Sequence, residues 1–290
     1  MAQAPTTGMF QWLKYGTESA ATSIDLHTGG NLSHDNQLRL RTGVGGNQSR
    51  RGGMNAHGGT ATFYITPDTE ALLAAGIRDA YPRGDLTELI IEGGADVWAR
   101  LYTDAVISSF DIEFAREEGL AATVNWGALT AEAGTGSTVA ALDDDIWEDY
   151  DIVIQGLAYA ATEEYGVNGL TVNVDNQVSF HSNANTKTDS DRIRDPQFWL
   201  HGTEILTATL TCDEPVPQET VEIWKNDLDG NLQLALVGTN STHIVEVTLS
   251  NLMLSTDDHG FVGAETLAGW QYNFVGDAQN GSLAFDIDTI

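Results

Sequence analysis

Cysteine, lysine and long apolar runs are all scarce in this chain, and each scarcity closes off a class of protein. The one cysteine, Cys212, has no partner for an internal disulfide, and its apolar, alternating surroundings predict a small core residue. No apolar stretch approaches the roughly 18 residues that a membrane-spanning helix requires, and no basic leader followed by an apolar run opens the sequence, so no membrane insertion is expected. Lysine occurs at three positions, Lys14, Lys187 and Lys225. With so few cations, a groove that grips nucleic acid by its phosphates is disfavoured, and DNA nearby would be repelled and left to slide.

Acid is abundant instead. The 290 residues carry 42 Asp and Glu against 13 Lys and Arg, a formal net charge of −29, and the sequence pI is near 4.2. Self-repulsion of that size destabilises a compact state in dilute buffer, but near molar salt the screening length falls to roughly 3 Å and most of the penalty disappears. Excess acid, little lysine and plentiful Gly, Ala and Thr point to a host with a salty cytoplasm, with an acidic mesophilic protein as the alternative. At 41% hydrophobic residues the chain can bury one large core or two ordinary ones.

Constellations for chemistry are weak. Asn226-Asp-Leu-Asp-Gly-Asn231 resembles the middle of a calcium loop, with Asp227 and Asp229 as ligands, but Lys225 and Leu236 stand where the first and twelfth oxygen donors are needed. That favours an acidic turn. The seven histidines include no pair at helical i, i+4 spacing, so zinc has no support. Gly43-Val44-Gly45-Gly46 begins a dinucleotide fingerprint without its last glycine or its flanking strand and helix. Neither a Gly-x-Ser-x-Gly elbow nor a nucleophile and base set is present. The expectation is a protein that is not an enzyme, with no catalytic residue, no cofactor and no metal.

The organising signal is an internal repeat. Gly94 to Trp126 returns in altered form from Asn240 to Phe274, with Asp104-Ala-Val-Ile-Ser108 on Asn251-Leu-Met-Leu-Ser255 at an offset of 147, half the chain. Each copy reads as a polar loop, a strand, a helix and four β-rich segments. In the first copy these are an extended loop or long hairpin over Asn31 to His57, a strand over Thr60 to Thr66, and a helix from Thr66-Pro67-Asp68 through Ala80. Then follow Leu86 to Glu92, Val97 to Tyr102, Ala105 to Phe114 and Ala121 to Trp126. Little regular structure is expected before Ser23. In the second copy His201-Gly202-Thr203 falls on Gly58-Gly59-Thr60 at an offset of 143, Ile205 to Leu210 forms the strand, and Asp213 to Pro217 opens a helix to about Asn226. Gly281 to Ile290 adds a last alternating strand. The prediction is a mainly β protein of two tandem, duplicated sandwich or barrel domains, each with one flanking helix. The first occupies 1–130 and the second 152–290, with an acidic, solvated linker over 131–151.

Arg39, Arg41, Arg50 and Arg51 form the one basic cluster, inside the first polar loop, and Arg192 and Arg194 lie in the corresponding loop of the second copy. On so acidic a protein these six arginines are candidate subunit and ring contacts, meeting a neighbour's carboxylates through planar, multi-donor guanidinium groups. Local pairing with the subunit's own carboxylates is the alternative.

The opening Leu13-Lys-Tyr-Gly-Thr-Glu-Ser19 resembles the Tyr-Gly-x-Glu-Ser start common in the major tail tube proteins of long-tailed, siphovirus-like viruses. Val106 to Trp126 resembles that family's paired strands with a polar turn. The likeness is one of pattern and covers nearly the whole chain. It implies a β-sandwich with one flanking helix, rings stacked into a hollow tube, and DNA passing through the lumen without specific binding. It also implies residence in the virion tail after assembly in the host cytoplasm. The partners it implies are further copies of the chain and other tail proteins such as tape measure, terminator and tip. Family members mostly carry one domain and form hexameric rings; two domains here would let three chains close a pseudo-hexameric ring. With the acidic composition, the resemblance points to a haloarchaeal host. The alternative from another class is a two-domain β-sandwich adhesin or carbohydrate-binding module, with Trp98, Trp147 and Trp199 as a sugar platform.

Overall fold

A computed structural model of the chain describes residues 12–20, 22–24, 27–35, 38–42, 48–52, 54–78, 86–95, 98–115, 119–135, 149–155, 167–182, 195–213, 215–227, 229, 232–240, 242–259, 270–276 and 283–289. The fold is mainly β. Its first half holds β1 (Trp12–Gly16), β2 (Thr22–Ile24), β3 (His27–Asp35), β4 (Leu38–Thr42), β5 (Gln48–Gly52), β6 (Ala56–Tyr64), α1 (Glu70–Ala75), β7 (Leu89–Ala95), β8 (Trp98–Ala115) and β9 (Gly119–Ala133). The second holds β10 (Asp149–Gln155), β11 (Val167–Asp175), β12 (Ser179–His181), β13 (Phe198–Leu200), β14 (Ile205–Cys212), α2 (Gln218–Asn226), β15 (Leu232–Thr239), β16 (His243–His259), β17 (Trp270–Gly276) and β18 (Leu283–Thr289).

Fourteen of these strands belong to one antiparallel sheet, and the order of pairing within it is itself repeated. β6-β9-β8-β7-β1 of the first half recurs as β14-β17-β16-β15-β10, and β3 lies on β6 as β11 lies on β14. The two copies also bend at the same places. In β8 the residues Thr103 and Asp104 are squeezed opposite one residue of β7, between the pairs Leu89↔Ala105 and Ile91↔Tyr102, and Asp104 takes φ 52°. In β16 the bulge falls between Leu232↔Leu252 and Leu234↔Leu249, and Asn251 takes φ 56°. Asp and Asn tolerate the left-handed region better than most residues, so the strand can turn there without losing its pairing.

Those bulges explain why segments expected to be separate are continuous. The described part of the expected segment Val97 to Tyr102, from Trp98 on, and Ala105 to Phe114 lie in one 18-residue strand, because the extra residue bends the ladder rather than ending it. Along β8, β9 runs unbroken, whereas among the described residues its counterparts in the second copy are two strands, β17 against the end of β16 and β18 against its start.

Three further expectations are corrected. Regular structure begins well before Ser23, since Trp12, Leu13 and Tyr15 are buried and β1 pairs with β7 from Trp12↔Gly94 to Gly16↔Ile90. The first helix is shorter than expected: a 3₁₀ turn over Pro67–Thr69 leads into α1, which stops at Ala75. Gly76 then lies against β8 so closely that a Cβ there would sit 2.8 Å from Phe110 and 2.9 Å from Ile107. Finally, hydrogen-bonded pairing places Thr209, not Thr203, on Thr60, because each is opposite the same asparagine, Asn273 and Asn125. The linker stretch 131–151 begins within β9 and ends within β10, and 136–148 lies outside the described residues.

A single apolar cluster runs through both copies. At its centre in the first, Tyr102 meets Trp126 edge to face at 6.2 Å; in the second, Trp224 of α2 meets Tyr272 and Phe274, each at 5.8 Å. Full burial of such side chains stabilises by about 1.5–3 kcal/mol each, which in the second copy fixes α2 on its sheet.

Candidate functional site

The copies are joined by β-ladder, not by side-chain contact alone. β11 pairs with its own copy through β14 and, along its other edge, with β8 of the first copy, from Gly169↔Ala115 to Asp175↔Ser109. Leu170, Val172 and Val174 point into the core while Asn173 faces outward and donates its amide to Asp111 at 2.5 Å. Just past the strand, the fully buried Asn176 plugs the first copy. Its backbone N–H donates to Ser108 O, and its side-chain amide donates to Gly76 O at 2.8 Å and Ile107 O at 3.2 Å.

Polar contacts reinforce this seam. Arg78, at the end of the helical segment, donates to Asn176 O at 3.0 Å and stands 3.8 Å from the Glu204 carboxylate. Burial lowers the guanidinium's pKa and raises that of Glu204, the latter partly opposed by Arg78. On the far side, Asp195 accepts from Asn55 at 2.6 Å and lies 2.9 Å from Nε2 of the buried His57. Where α1 meets β18, Glu70 sits near Asp286 and Asp288, and burial followed by those two charges raises its pKa.

A small arm completes the junction. β12 and β13 form a two-stranded hairpin that lies on the first copy, with Phe180 so close to Gly127 that a Cβ on the glycine would be 2.2 Å from the ring. Trp199 on the same arm donates to Glu88 at 3.0 Å. Leu86, Leu129, Phe198 and His201 line a hollow beneath it.

The first-copy counterpart of this arm is the hairpin β4–β5, where the candidate arginines lie. Arg39 is opposite Arg51, Leu40 opposite Arg50, and Arg41 opposite Ser49. The structure thus brings four of the six together on one hairpin, while Arg192 and Arg194 lie outside the described residues. The tryptophans are dispersed: Trp98 is 45% exposed with the Arg100 guanidinium 5.5 Å from its ring centre, Trp199 is on β13, and Trp147 is outside the described residues. Cys212 is buried, and that burial pushes its thiol up to about 12. Asp227 closes α2, its N–H donating to Ile223 O at 3.1 Å. Among the described residues no three His, Cys, Asp or Glu side chains converge on a metal-sized site.

Sequence reasoning missed the seam residues Asn173 and Asn176, although a signal existed. Asp175-Asn176-Gln177 repeats Asp35-Asn36-Gln37 at an offset of 140, the same offset that sets β11 on β3. No protein-family model matches the chain, and no curated protein matches it.

Proposed function

We propose that the chain is a structural virion protein whose three-membered, pseudo-hexameric rings stack into a hollow tail tube for viral DNA. One observation carries this reading: two units with the same order of strand pairing continue a single sheet through a strand shared at their junction, so each chain supplies two successive segments of one wall. Repetition of one junction closes a ring when its rotation divides the circle. A wall built that way also covers the strand edges that would otherwise pair indiscriminately. With −29 per chain, a ring carries a strong excess of negative charge, and its field would disfavour binding of phosphate and leave DNA to slide. The same charge requires concentrated salt for assembly, in keeping with a tailed virus of a halophilic archaeon.

Electron microscopy of the purified protein at molar salt tests the reading. Stacked rings with an open channel are expected; a protein that stays monomeric across the salt range would overturn it.

A further inference from the structure

We infer that the chain carries both halves of its polymer joint: the outer edge of β3 with the β4–β5 arm on the first copy, and the outer edge of β16 on the second. A second copy of this chain closes the joint in the register that β11 already adopts on β8. The inference rests on the ring reading above and specifies its subunit contact.

The internal seam is the template. Equating strands by their shared pairing puts β3 on β11 at an offset of 140 and β16 on β8 at an offset of 147. The seam Asp175↔Ser109 to Leu170↔Phe114 then becomes an intermolecular ladder that sets His34 opposite Asp257, Ser33 opposite Asp258 and Leu32 opposite His259. Among the described residues, β3 pairs with no strand but β6, and this part of β16 with none but β17. Among the described residues both edges therefore carry no partner strand, and each occupies the place in its copy's pairing order that its twin uses inside the chain.

Four observations agree with that register. Leu32 packs against the core as its equivalent Val172 does, while Asn31 and Ser33 face outward, so β3 presents the same faces as β11. Ser33, whose hydroxyl donates to Gly58 O at 3.1 Å within the chain, occupies the register position of Asn173, and Asp258 occupies that of Asp111, so polar residues meet at the same step of both ladders. The Asp-Asn-Gln that begins on the last residue of β11 also begins on the last residue of β3. Lastly, Val275 is exposed at the position equivalent to Gly127, which Phe180 covers; the residue of the first arm equivalent to Phe180 is the apolar Leu40. The contact is heterologous, so it propagates from chain to chain and leaves no free end once the ring closes. The arginines of the β4–β5 arm would then lie over the acidic second copy of the neighbour, where the screened, multi-donor contacts of guanidinium groups still operate.

The test is disulfide trapping of the full chain at molar salt, reading covalent oligomers on a non-reducing gel and rings by microscopy. The variant is Ser33→Cys with Asp258→Cys; the native Cys212 is buried. Expected are covalent species up to closed trimers, with Ser33→Cys plus Thr256→Cys, two residues out of register, cross-linking on the order of 10-fold less. Rings that form without the in-register cross-link, or that favour the shifted pair, overturn the joint and leave the ring reading standing. Cross-linked trimers that never stack uphold the joint and count against the tube. Monomers without cross-links overturn both. Should the double variant misfold, hydrogen exchange on the unaltered protein decides: amides of 31–34 and 256–259 slow together by on the order of 10-fold on assembly, and unchanged exchange at either edge overturns the joint.

Discussion

The Thr60 hydroxyl donates to Oδ1 of Asn125 at 2.7 Å, and the same bond is made 149 residues later by Thr209 to Asn273 at 2.9 Å. Each asparagine passes the contact on, Asn125 to Ser109 Oγ at 3.1 Å and Asn273 to Thr256 Oγ1 at 2.9 Å. A three-strand polar link has thus been kept in both copies, beside the second bulge of each long strand, where the ladder is interrupted between Ile107 and Ser109 and between Leu254 and Thr256. Loss of a partly buried hydrogen bond costs about 0.5–1.5 kcal/mol. Asn125→Ala and Asn273→Ala are each expected to lower stability by about that amount, and, being in separate copies, to add in the double variant. Chemical denaturation at fixed high salt measures it; a non-additive pair would mean that the links are coupled across the seam.

Glu70 gives a test in pH and salt. Its folded-state pKa is raised above the usual 4.5, first by burial and then by Asp286 and Asp288. A carboxyl raised on folding opposes folding where it is ionised, so its cost is present at neutral pH and is relieved as pH falls through the raised value. Glu70→Gln is expected to raise the unfolding midpoint at neutral pH in dilute salt, to lose that gain on acidification, and to show less of it in molar salt. A midpoint unchanged in dilute salt at neutral pH would remove Glu70 from the account.

Gly127 is the position where the second-copy arm touches the first copy. Gly127→Ala forces a methyl group into the ring of Phe180 and is expected to cost about 1–3 kcal/mol, as overpacking does. Adding Phe180→Ala should recover part of the loss. Thermal melts of both single variants and the double close the cycle, and failure of the second substitution to compensate would show that the arm is not held there.

Reversing charge on the first arm separates assembly from folding. Arg50→Glu with Arg51→Glu changes two residues of β5 and is expected to leave the circular dichroism spectrum unaltered while reducing sedimentable polymer by on the order of 10-fold. Unchanged assembly would free these arginines from any contact role.

The repeat was legible in the sequence because Asp104 and Asn251 mark the same bulge in the same apolar strand, and matched residues at fixed spacing survive divergence of everything between them. The mainly β character and the position of α2 were legible for a similar reason, alternation and proline punctuation being local signals. The junction was not. Whether the second edge of β11 pairs with water or with β8 depends on residues some 60 positions away, and a strand open on one edge has the same alternation as one paired on both. Trp12 to Gly16 was missed because five residues carry too little periodicity to identify a strand whose burial depends on β7. The arginine cluster was visible as composition, but its arrangement on a hairpin, Arg39 against Arg51, required the register.

The number of chains in the smallest closed ring tests the central claim most directly. Native mass measurement of rings released from the polymer at high salt, combined with the rotational symmetry of end-on particles, supplies that number. The account requires three chains of 31.2 kDa and six near-equivalent lobes around one channel. Rings of six chains, or particles in which the two copies of a chain do not occupy successive positions of one wall, would contradict it.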